Sequence, residues 1–444
     1  MSSQRLVLTV FVFLGPALAV VAAPTERRTV SPSGGDDTAA VQAALDDCPP
    51  GCVVALEAGT FRIAQLVASD FRGEVRGQGR GVTVLQALPA LPVNDALPWP
   101  WAVAPTPATP WPVLIAFLDG RFSVSDLTVR VPASPATELW FNQGRPFREL
   151  IALMVTGDHA DARFERVDVE GAPGTYFGRN LIFGIAYEGI LAVTPGQPTV
   201  QPQRPLSGSF TASDCAMRWA SLGTLLFHVR DFHADVSHNT IEDVDIGYLL
   251  NEAAATDARF THNSGFAQDT AVGWMQGLLL DYAGPSRVEI SHNRFEVRDG
   301  GVRATADGIE LRDGGATRTA TAEVLDNQLT LRPSLPPAGM PVRGGLFITG
   351  LRAAVVRGNH IEGPAPSGIL LAGTDSAEVR DNHVQGVAAN GIAVTAGSGH
   401  SDVTGNHVHD SGAFDLRWDG SGIGNAFTKN HCASSDPDGL CTRP

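Results

Sequence analysis

Positive charge is scarce in this chain. Against 47 Asp and Glu stand 32 Lys and Arg, a net charge of −15. Nucleic acid and anionic membranes are therefore not expected as partners, and an acidic polymer would need local arginines or a bridging cation. Long apolar runs are missing beyond the first two dozen residues. The one such run, Leu6 to Ala22, follows Arg5, ends in Val21-Ala22-Ala23 and gives way to Thr25-Glu26-Arg27-Arg28. That pattern reads as a secretory signal peptide, residues 1–23, and not as a structural helix. No later stretch is long and apolar enough to span a bilayer. The mature chain, residues 24–444, is thus expected to be secreted or periplasmic and free of the membrane. Cysteine is sparse as well, with five residues. In a secreted chain these suggest disulfides. Cys48 and Cys52 flank Pro-Pro-Gly, and Cys432 and Cys441 flank the C-terminal tail, so each pair is expected to close locally. Cys215 is left over, as a buried and inert thiol.

What the chain has in abundance is repetition. Between Ala354 and Asp410 it reads A-V-V-R-G-N-H-I-E-G, then A-E-V-R-D-N-H-V-Q-G, then S-D-V-T-G-N-H-V-H-D, around Asn359, Asn382 and Asn406. The same slot holds Asn239, Asn263, Asn293 and Asn327 upstream and Asn430 downstream. Leu127, Val167 and Cys215 fill it in three weaker rungs. Fixed periods of roughly 20–50 residues mark stacked-repeat architectures. A period of about two dozen residues is too short for paired helices, and each phrase alternates apolar with polar residues as a half-buried strand does. In the stretch Val288 to Phe295, the residues Val288, Ile290 and Phe295 should point inward, and Glu289, Ser291 and Arg294 outward.

The fold class that follows is all-β: a single-stranded, right-handed parallel β-helix solenoid of about 11 or more coils, with a short N-terminal capping helix. Strands one coil apart would lie about 4.8 Å from each other, so equivalent side chains pile up. An Asn repeated at one bend can bond its neighbours in a ladder and tolerates left-handed backbone. The repeated Asn are therefore structural. A solenoid grows in one dimension, so a single domain is expected, with a cap over 24–60, coils over 61–430 and a disulfide-closed tail over 431–444.

The cap begins with Asp36-Asp37-Thr38-Ala39-Ala40-Val41-Gln42-Ala43-Ala44-Leu45. This reads as a short helix with Asp37 as N-cap and Val41, Ala44 and Leu45 on one face. With D-T-A-A-V-Q-A-A followed by V-A-L-E-A-G-T-F, the chain resembles the pectate-lyase-like β-helix superfamily. There, a D-T-x-A-I-Q-x-A helix and a V-x-L-P-x-G-T-Y strand open the solenoid and plug its end. The resemblance covers nearly the whole mature chain and implies the fold. It does not choose a function, because the superfamily holds lyases, hydrolases, epimerases and non-enzymes.

Long insertions interrupt the early coils. Residues 88–112 carry Trp99, Trp101 and Trp111, and 133–149 carry Trp140; two more cover 172–180 and 195–208. Loops this long are often functional. Their aromatics either stack on sugar rings or pack on the flank of the solenoid. Gly77 and Gly79 have no following helix and no lysine, so they are turn glycines and not a phosphate loop.

The chemistry is concentrated in a second phrase of each coil, aligned on Gly223, Gly247, Gly277, Gly308, Gly345, Gly368 and Gly391. Four residues after each glycine the side chain must face out. There, the later coils carry Thr349, Ala372 and Thr395, but the middle coils carry Asn251, Asp281 and Arg312. The next position holds His228, Glu252, Tyr282 and Asp313, and Glu310 also faces out. Carboxylates about 5–10 Å apart suit acid/base or nucleophile work on a glycosidic bond. Carboxylates beside an Arg suit a lyase, in which Arg or Ca²⁺ quenches a uronate and a base takes the neighbouring proton. The expected catalytic group is Asp281, Arg312, Glu252, Asn251 and Glu310. Substrate contacts are assigned to His228, Tyr282, Asp313, Trp99, Trp101 and Trp140. No cofactor is called for, Ca²⁺ being the one cation such a site would take.

Two histidine columns, His238/His262/His292 before the Asn and His360/His383/His407/His431 after it, would lie parallel on the exterior. Metal ligands converge, so these are read as stacking ladders and no metal site is assigned. The N-T-D, D-D, G-H-G and R-I-K set of polygalacturonases and the D-P-H-E of mannuronan epimerases are missing, and no pectate-lyase calcium triad can be assigned. Two functions remain. One is a secreted protein that binds and cleaves a polysaccharide along the solenoid face, as a lyase or glycoside hydrolase. The other is a non-catalytic envelope or adhesin-type β-helix. In either case, Leu225, Leu249, Leu279, Phe347 and Leu370 should face out, so part of that face must be covered, with the early insertions as the cover.

Overall fold

The structure is a computed structural model that describes residues 26–88, 113–131, 139–141, 145–147, 149–157, 159–171, 181–188, 190–193, 200–268, 274–282, 286–298, 305–315, 318–332 and 344–442. The signal segment, Trp99 and Trp101 lie outside these ranges. Among the described residues, 34 strands join into one continuous ladder of parallel pairings in which each strand bonds its equivalent one coil away. The chain is a parallel β-helix. Each coil contributes a leading strand that ends before the Asn slot, a trailing strand that starts after it, and a strand of the glycine phrase. These form three faces, called here leading, trailing and glycine.

The Asn ladder is continuous from Asn239 to Asn430. Successive members are 24, 30, 34, 32, 23, 24 and 24 residues apart. Each side-chain amide donates to the Oδ1 of the next Asn at 2.9–3.1 Å. It also donates to a backbone carbonyl, as Asn382 does to Val356 at 2.9 Å. The same Oδ1 accepts the backbone N–H of the previous Asn, as Asn406 does from Asn382 at 3.1 Å. All eight are buried to 1% exposure or less. Buried amides cost free energy unless paired, so the ladder satisfies a bend that would otherwise expose its backbone to an apolar interior. Cys215 replaces Asn at the head of the ladder, its N–H donating to Asn239 Oδ1 at 2.8 Å and its thiol to the Ser213 carbonyl at 3.3 Å. The residue before each Asn has positive φ: His238, His262, His292, Asp326, Gly358, Asp381, Gly405 and Lys429. Gly, Asp, Asn and His adopt that conformation more readily than other residues, which leaves Lys429 as the costlier case.

Inside runs one apolar core from Val30 to Leu440. Val288, Ile290 and Phe295 belong to it, as their alternation requires. Ser291 differs from its expected outward exposure: it is buried, its hydroxyl donating to Glu289 at 2.9 Å. Burying each such Val, Ile or Phe is worth about 1.5–3 kcal/mol, so the core carries the fold.

At the N-terminus the helix spans Thr38–Asp46 and buries Val41, Ala44 and Leu45. Asp37 occupies the N-cap position but makes no side-chain cap bond. Its buried carboxylate accepts instead the N–H of Ser33 at 2.7 Å and of Arg62 at 3.0 Å. Thr38 Oγ1 accepts from Ala64 N–H at 2.9 Å, and the Gln42 amide both donates to and accepts from the Val67 backbone at 2.7 and 2.9 Å. The D-T…Q motif is thus explained. The first coil has no coil below it, and these three side chains take the place of the missing strand. Disulfides Cys48–Cys52 and Cys432–Cys441 staple the two ends.

A second, smaller apolar cluster lies on the outer side of the glycine face, around Val113, Ala116, Ile151, Met154, Leu222 and Leu225, all at most 5% exposed. Leu249 packs against it. The early coils are therefore apolar on both sides of one sheet. Two of the insertions hold antiparallel hairpins, Leu139–Phe141 with Arg145–Phe147 and Ile190–Val193 with Val200–Arg204, which are not paired to the solenoid ladder.

Candidate functional site

The glycine-face strands Ala216–Phe227, Thr240–Ala253, Trp274–Tyr282, Thr305–Asp313, Leu346–Thr349, Ser367–Ala372 and Asn390–Thr395 pair consecutively. Their register decides which residues are neighbours. Asp281 is directly beside Arg312, and Arg312 beside Thr349, Ala372 and Thr395 in turn. Phe227 is beside Asn251. Between Leu250 and Ala253 the register slips, so that Asn251 and Glu252 together oppose the Asp281 strand and Tyr282 pairs with Ala253. Glu252 takes up the extra residue with φ 52°. The column predicted from spacing is therefore present for Asp281 and Arg312. It is bulged at Glu252, which does not share a rung with Tyr282 and Asp313. Bulges bend a strand and re-aim the side chains at the kink.

Glu310 is the anomaly of this face. Ile309 and Leu311, on either side of it, belong to the interior core, so Glu310 faces out. Its column neighbours are Leu279 and Phe347. Yet it is 0% exposed, and its carboxylate accepts a charge-assisted hydrogen bond from Arg312 at 2.5 Å. The Arg312 side chain is 38% exposed. The pair thus holds a guanidinium in a fixed pose with one side at the surface.

Two and three coils lower, Glu252 and His228 meet, with His228 Nδ1 3.1 Å from Glu252 Oε2. Both residues have positive φ, at a corner where later coils use Gly350 and Gly373. Asn251 Oδ1 and His228 Nε2 are buried with no hydrogen-bond partner among the described residues. The sequence singled out both histidine and carboxylate but not their pairing; their shared offset from the glycine, one coil apart, was the available signal. Asp313 turns out to be committed elsewhere: its carboxylate accepts the N–H groups of Gly315, Thr319 and Ala320 at 2.9–3.0 Å and so braces a turn. It is not free to meet a substrate as expected. Trp140 sits in the hairpin strand Leu139–Phe141, opposite Pro146.

Among the described residues no group of three His, Cys, Asp or Glu is arranged to hold a metal ion. The histidine columns stack: His238–His262 and His262–His292 at 4.9 Å, His360–His383 at 4.8 Å, His407–His431 at 4.6 Å. Burial pushes the Cys215 thiol up to about 12, so at neutral pH it is not a nucleophile. Two open grooves lie off the glycine face and escaped the sequence reading. One, of about 790 Å³, is lined by Arg72, Arg76, Arg121 and Arg163 with Glu74 and Asp161. The other, of about 440 Å³, is lined by Thr330, Arg332, Glu362, Gln385 and Asp410.

No curated protein matches the chain in sequence. Several solved structures share its fold. The A-module of an Azotobacter vinelandii mannuronan C-5 epimerase is 14% identical with a TM-score of 0.36, over 92% of this chain and 96% of that one. PfbA, a surface adhesin of Streptococcus pneumoniae, is 10% identical with a TM-score of 0.43, over 88% and 91%. A polygalacturonase from Erwinia carotovora is 9% identical with a TM-score of 0.30, over 98% and 100%. These likenesses are of fold alone. Residues 232–433 match the family described as right handed beta helix region, and the chain is a right-handed parallel β-helix protein.

Proposed function

We propose that the protein binds a polysaccharide along the glycine face and cleaves it at the strands Thr240–Ala253, Trp274–Tyr282 and Thr305–Asp313, as a lyase or glycoside hydrolase. The observation that carries this reading is the Glu310–Arg312 pair. A fully buried carboxylate held by a half-buried arginine is a poor way to stabilise a sheet that could have continued its apolar column through Leu or Phe. Its retention supports a job for the guanidinium. In the lyase version, Arg312 neutralises a uronate carboxylate. Asp281, in the next rung, takes the proton beside that carboxylate. The electrons form the carbon–carbon double bond as the glycosidic bond breaks, and the leaving oxygen picks up a proton. Asn251 and Glu252 lie on the rung below, with His228 one rung further down, and would bind the adjoining sugar. In the hydrolase version, Asp281 and Glu252 are the two carboxyls, carried on adjacent strands. Ca²⁺ enters only as the alternative neutraliser of the uronate. The protein is proposed to act outside the cytoplasm, after signal cleavage.

The second reading, a non-catalytic envelope or adhesin-type β-helix, draws support from the full burial of Glu310 and the bracing role of Asp313. Incubation with polyuronates and neutral glycans separates the two. A lyase yields unsaturated, ultraviolet-absorbing ends; a hydrolase yields reducing ends without them. Asp281→Asn should lower turnover by at least about a hundredfold. Equal turnover by Asp281→Asn removes this site, and no turnover of any glycan by the wild type favours the scaffold.

A further inference from the structure

On a different face the last coils carry five imidazoles. His360, His383, His407 and His431 occupy one slot on four successive rungs, each in register with the next. His409 stands beside them, 5.2 Å from His383 ring to ring. The residues between, Ile361, Val384 and Val408, are buried, so the imidazoles face outward. Folding does not demand histidine here: upstream, the same slot holds Thr240, Ser264, Arg294 and Gln328. Adjoining the row is the groove of about 440 Å³ with Arg332, Glu362, Gln385 and Asp410 on its walls.

We propose that this trailing face is a second glycan-binding surface, which takes a linear carboxylated polysaccharide when its imidazoles are protonated and releases it when they are neutral. Imidazole is the side chain whose charge changes between about pH 5 and 8. The charged groups around the row are few. Glu362 faces His360 at 3.7 Å, Asp410 faces His409 at 2.9 Å, and Arg332 is held by Glu296 at 3.0 Å. Asp326, Asp381 and Lys429 stand at the neighbouring corner. With neutral imidazoles the carboxylates dominate, and a polyanion is repelled. With protonated imidazoles a line of cations runs along the solenoid axis, one per coil and about 4.8 Å apart. Such a line suits a rod-like polymer whose carboxylates recur along its length, and their ionisation persists in mild acid. Stacked imidazolium rings repel one another, so a bound polyanion relieves the row as well as contacting it. Metal capture is a poorer use, because the stacked rings lie parallel and do not converge on a point. This surface is independent of the cleavage proposed on the glycine face.

The test is titration of the full mature chain with an oligogalacturonate at pH 5.0 and pH 7.5 and at two salt concentrations. The wild type should bind roughly tenfold or more tightly at the lower pH, with affinity falling as salt rises. The triple variant His360→Asn/His383→Asn/His407→Asn should lose that pH dependence while melting as the wild type does. The whole chain also sheds negative charge as the pH falls, and the triple variant, which shares that change, subtracts it. His409→Asn, a lesser change, should weaken binding at pH 5.0 roughly twofold to threefold. Asp281→Asn, which disables the proposed cleavage, should leave the ratio of affinities at the two pH values unchanged, so loss of turnover does not mimic loss of this surface. Equal affinity at both pH values, or a folded triple variant that binds like wild type, overturns the proposal. So does binding of an oligothymidylate in place of the glycan.

Discussion

The outer side of the glycine face differs in its two halves. In the early coils it is a closed apolar layer around Ala116, Met154 and Leu225. In the late coils the same column continues through Phe347, Leu370 and Ala393, with Phe347 and Leu370 only half-buried, and the column two residues on reads Thr349, Ala372 and Thr395, short and half-buried. The early half is where the sequence carries its long insertions. The late half keeps the regular step of 23–24 residues. A closed apolar outer layer and long insertions therefore fall in the same half of the sequence. Between the halves, on the strands Thr240–Ala253 to Thr305–Asp313, neither rule holds: the column turns to Asn251, Asp281 and Arg312, and a carboxylate is buried. Consistent sequences break their own pattern at functional or strained places, and among the described residues this boundary is one such break.

The largest effect should come from the boundary. Arg312→Ala takes a guanidinium from a fully buried carboxylate and should cost about 3–5 kcal/mol in chemical denaturation. A cost below about 1 kcal/mol would mean that Glu310 does not depend on it. Next comes the regular half. Asn382→Ala removes the acceptor of both the Asn359 backbone N–H and its side-chain amide, which should cost about 3 kcal/mol. A neutral outcome would show that the ladder is decoration. The comparison of halves is sharpened by one substitution in each. Leu225→Asn should cost about 2 kcal/mol because it puts an amide in a closed apolar layer, whereas Thr395→Asn should stay within about 0.5 kcal/mol. Similar costs at both positions would erase the difference between halves.

The smallest effect is electrostatic and lies in the early half. Hydrogen bonds from Arg166, at 2.6 and 3.0 Å, hold the Asp126 carboxyl below its ordinary value. A depressed carboxyl pKa contributes stability above the unfolded value, and that stability is lost as the pH falls toward the folded one. Asp126→Asn should therefore cost up to about 1 kcal/mol at pH 7, and the difference should shrink below about pH 4. A difference that grows toward acid would reverse the sign of this account.

Much of the fold was legible because a solenoid writes its geometry along the chain. The Asn359, Asn382 and Asn406 phrases recur at the coil length, so sequence distance converts directly into rung number. The Asp281–Arg312 neighbourhood followed from the same arithmetic. It failed at Glu252, because a bulge adds a residue without changing the local pattern. It failed again at Asp37, whose N-cap position is right but whose carboxylate reaches Arg62, a partner that no local rule names. Asp313 was misjudged for the same reason: the backbone amides it accepts belong to a turn whose closure spacing does not show.

The most direct measurement replaces the buried pair with apolar side chains, Glu310→Leu/Arg312→Leu, and reads stability and glycan turnover together. If the pair is kept for its chemistry, the double variant should be as stable as the wild type or more so, since an apolar replacement relieves the desolvation of the Glu310 carboxylate. Its turnover of a polyuronate should be lost. A double variant that falls apart like Arg312→Ala, or one that keeps full turnover, would contradict the central claim that this charge pair serves a ligand and not the sheet.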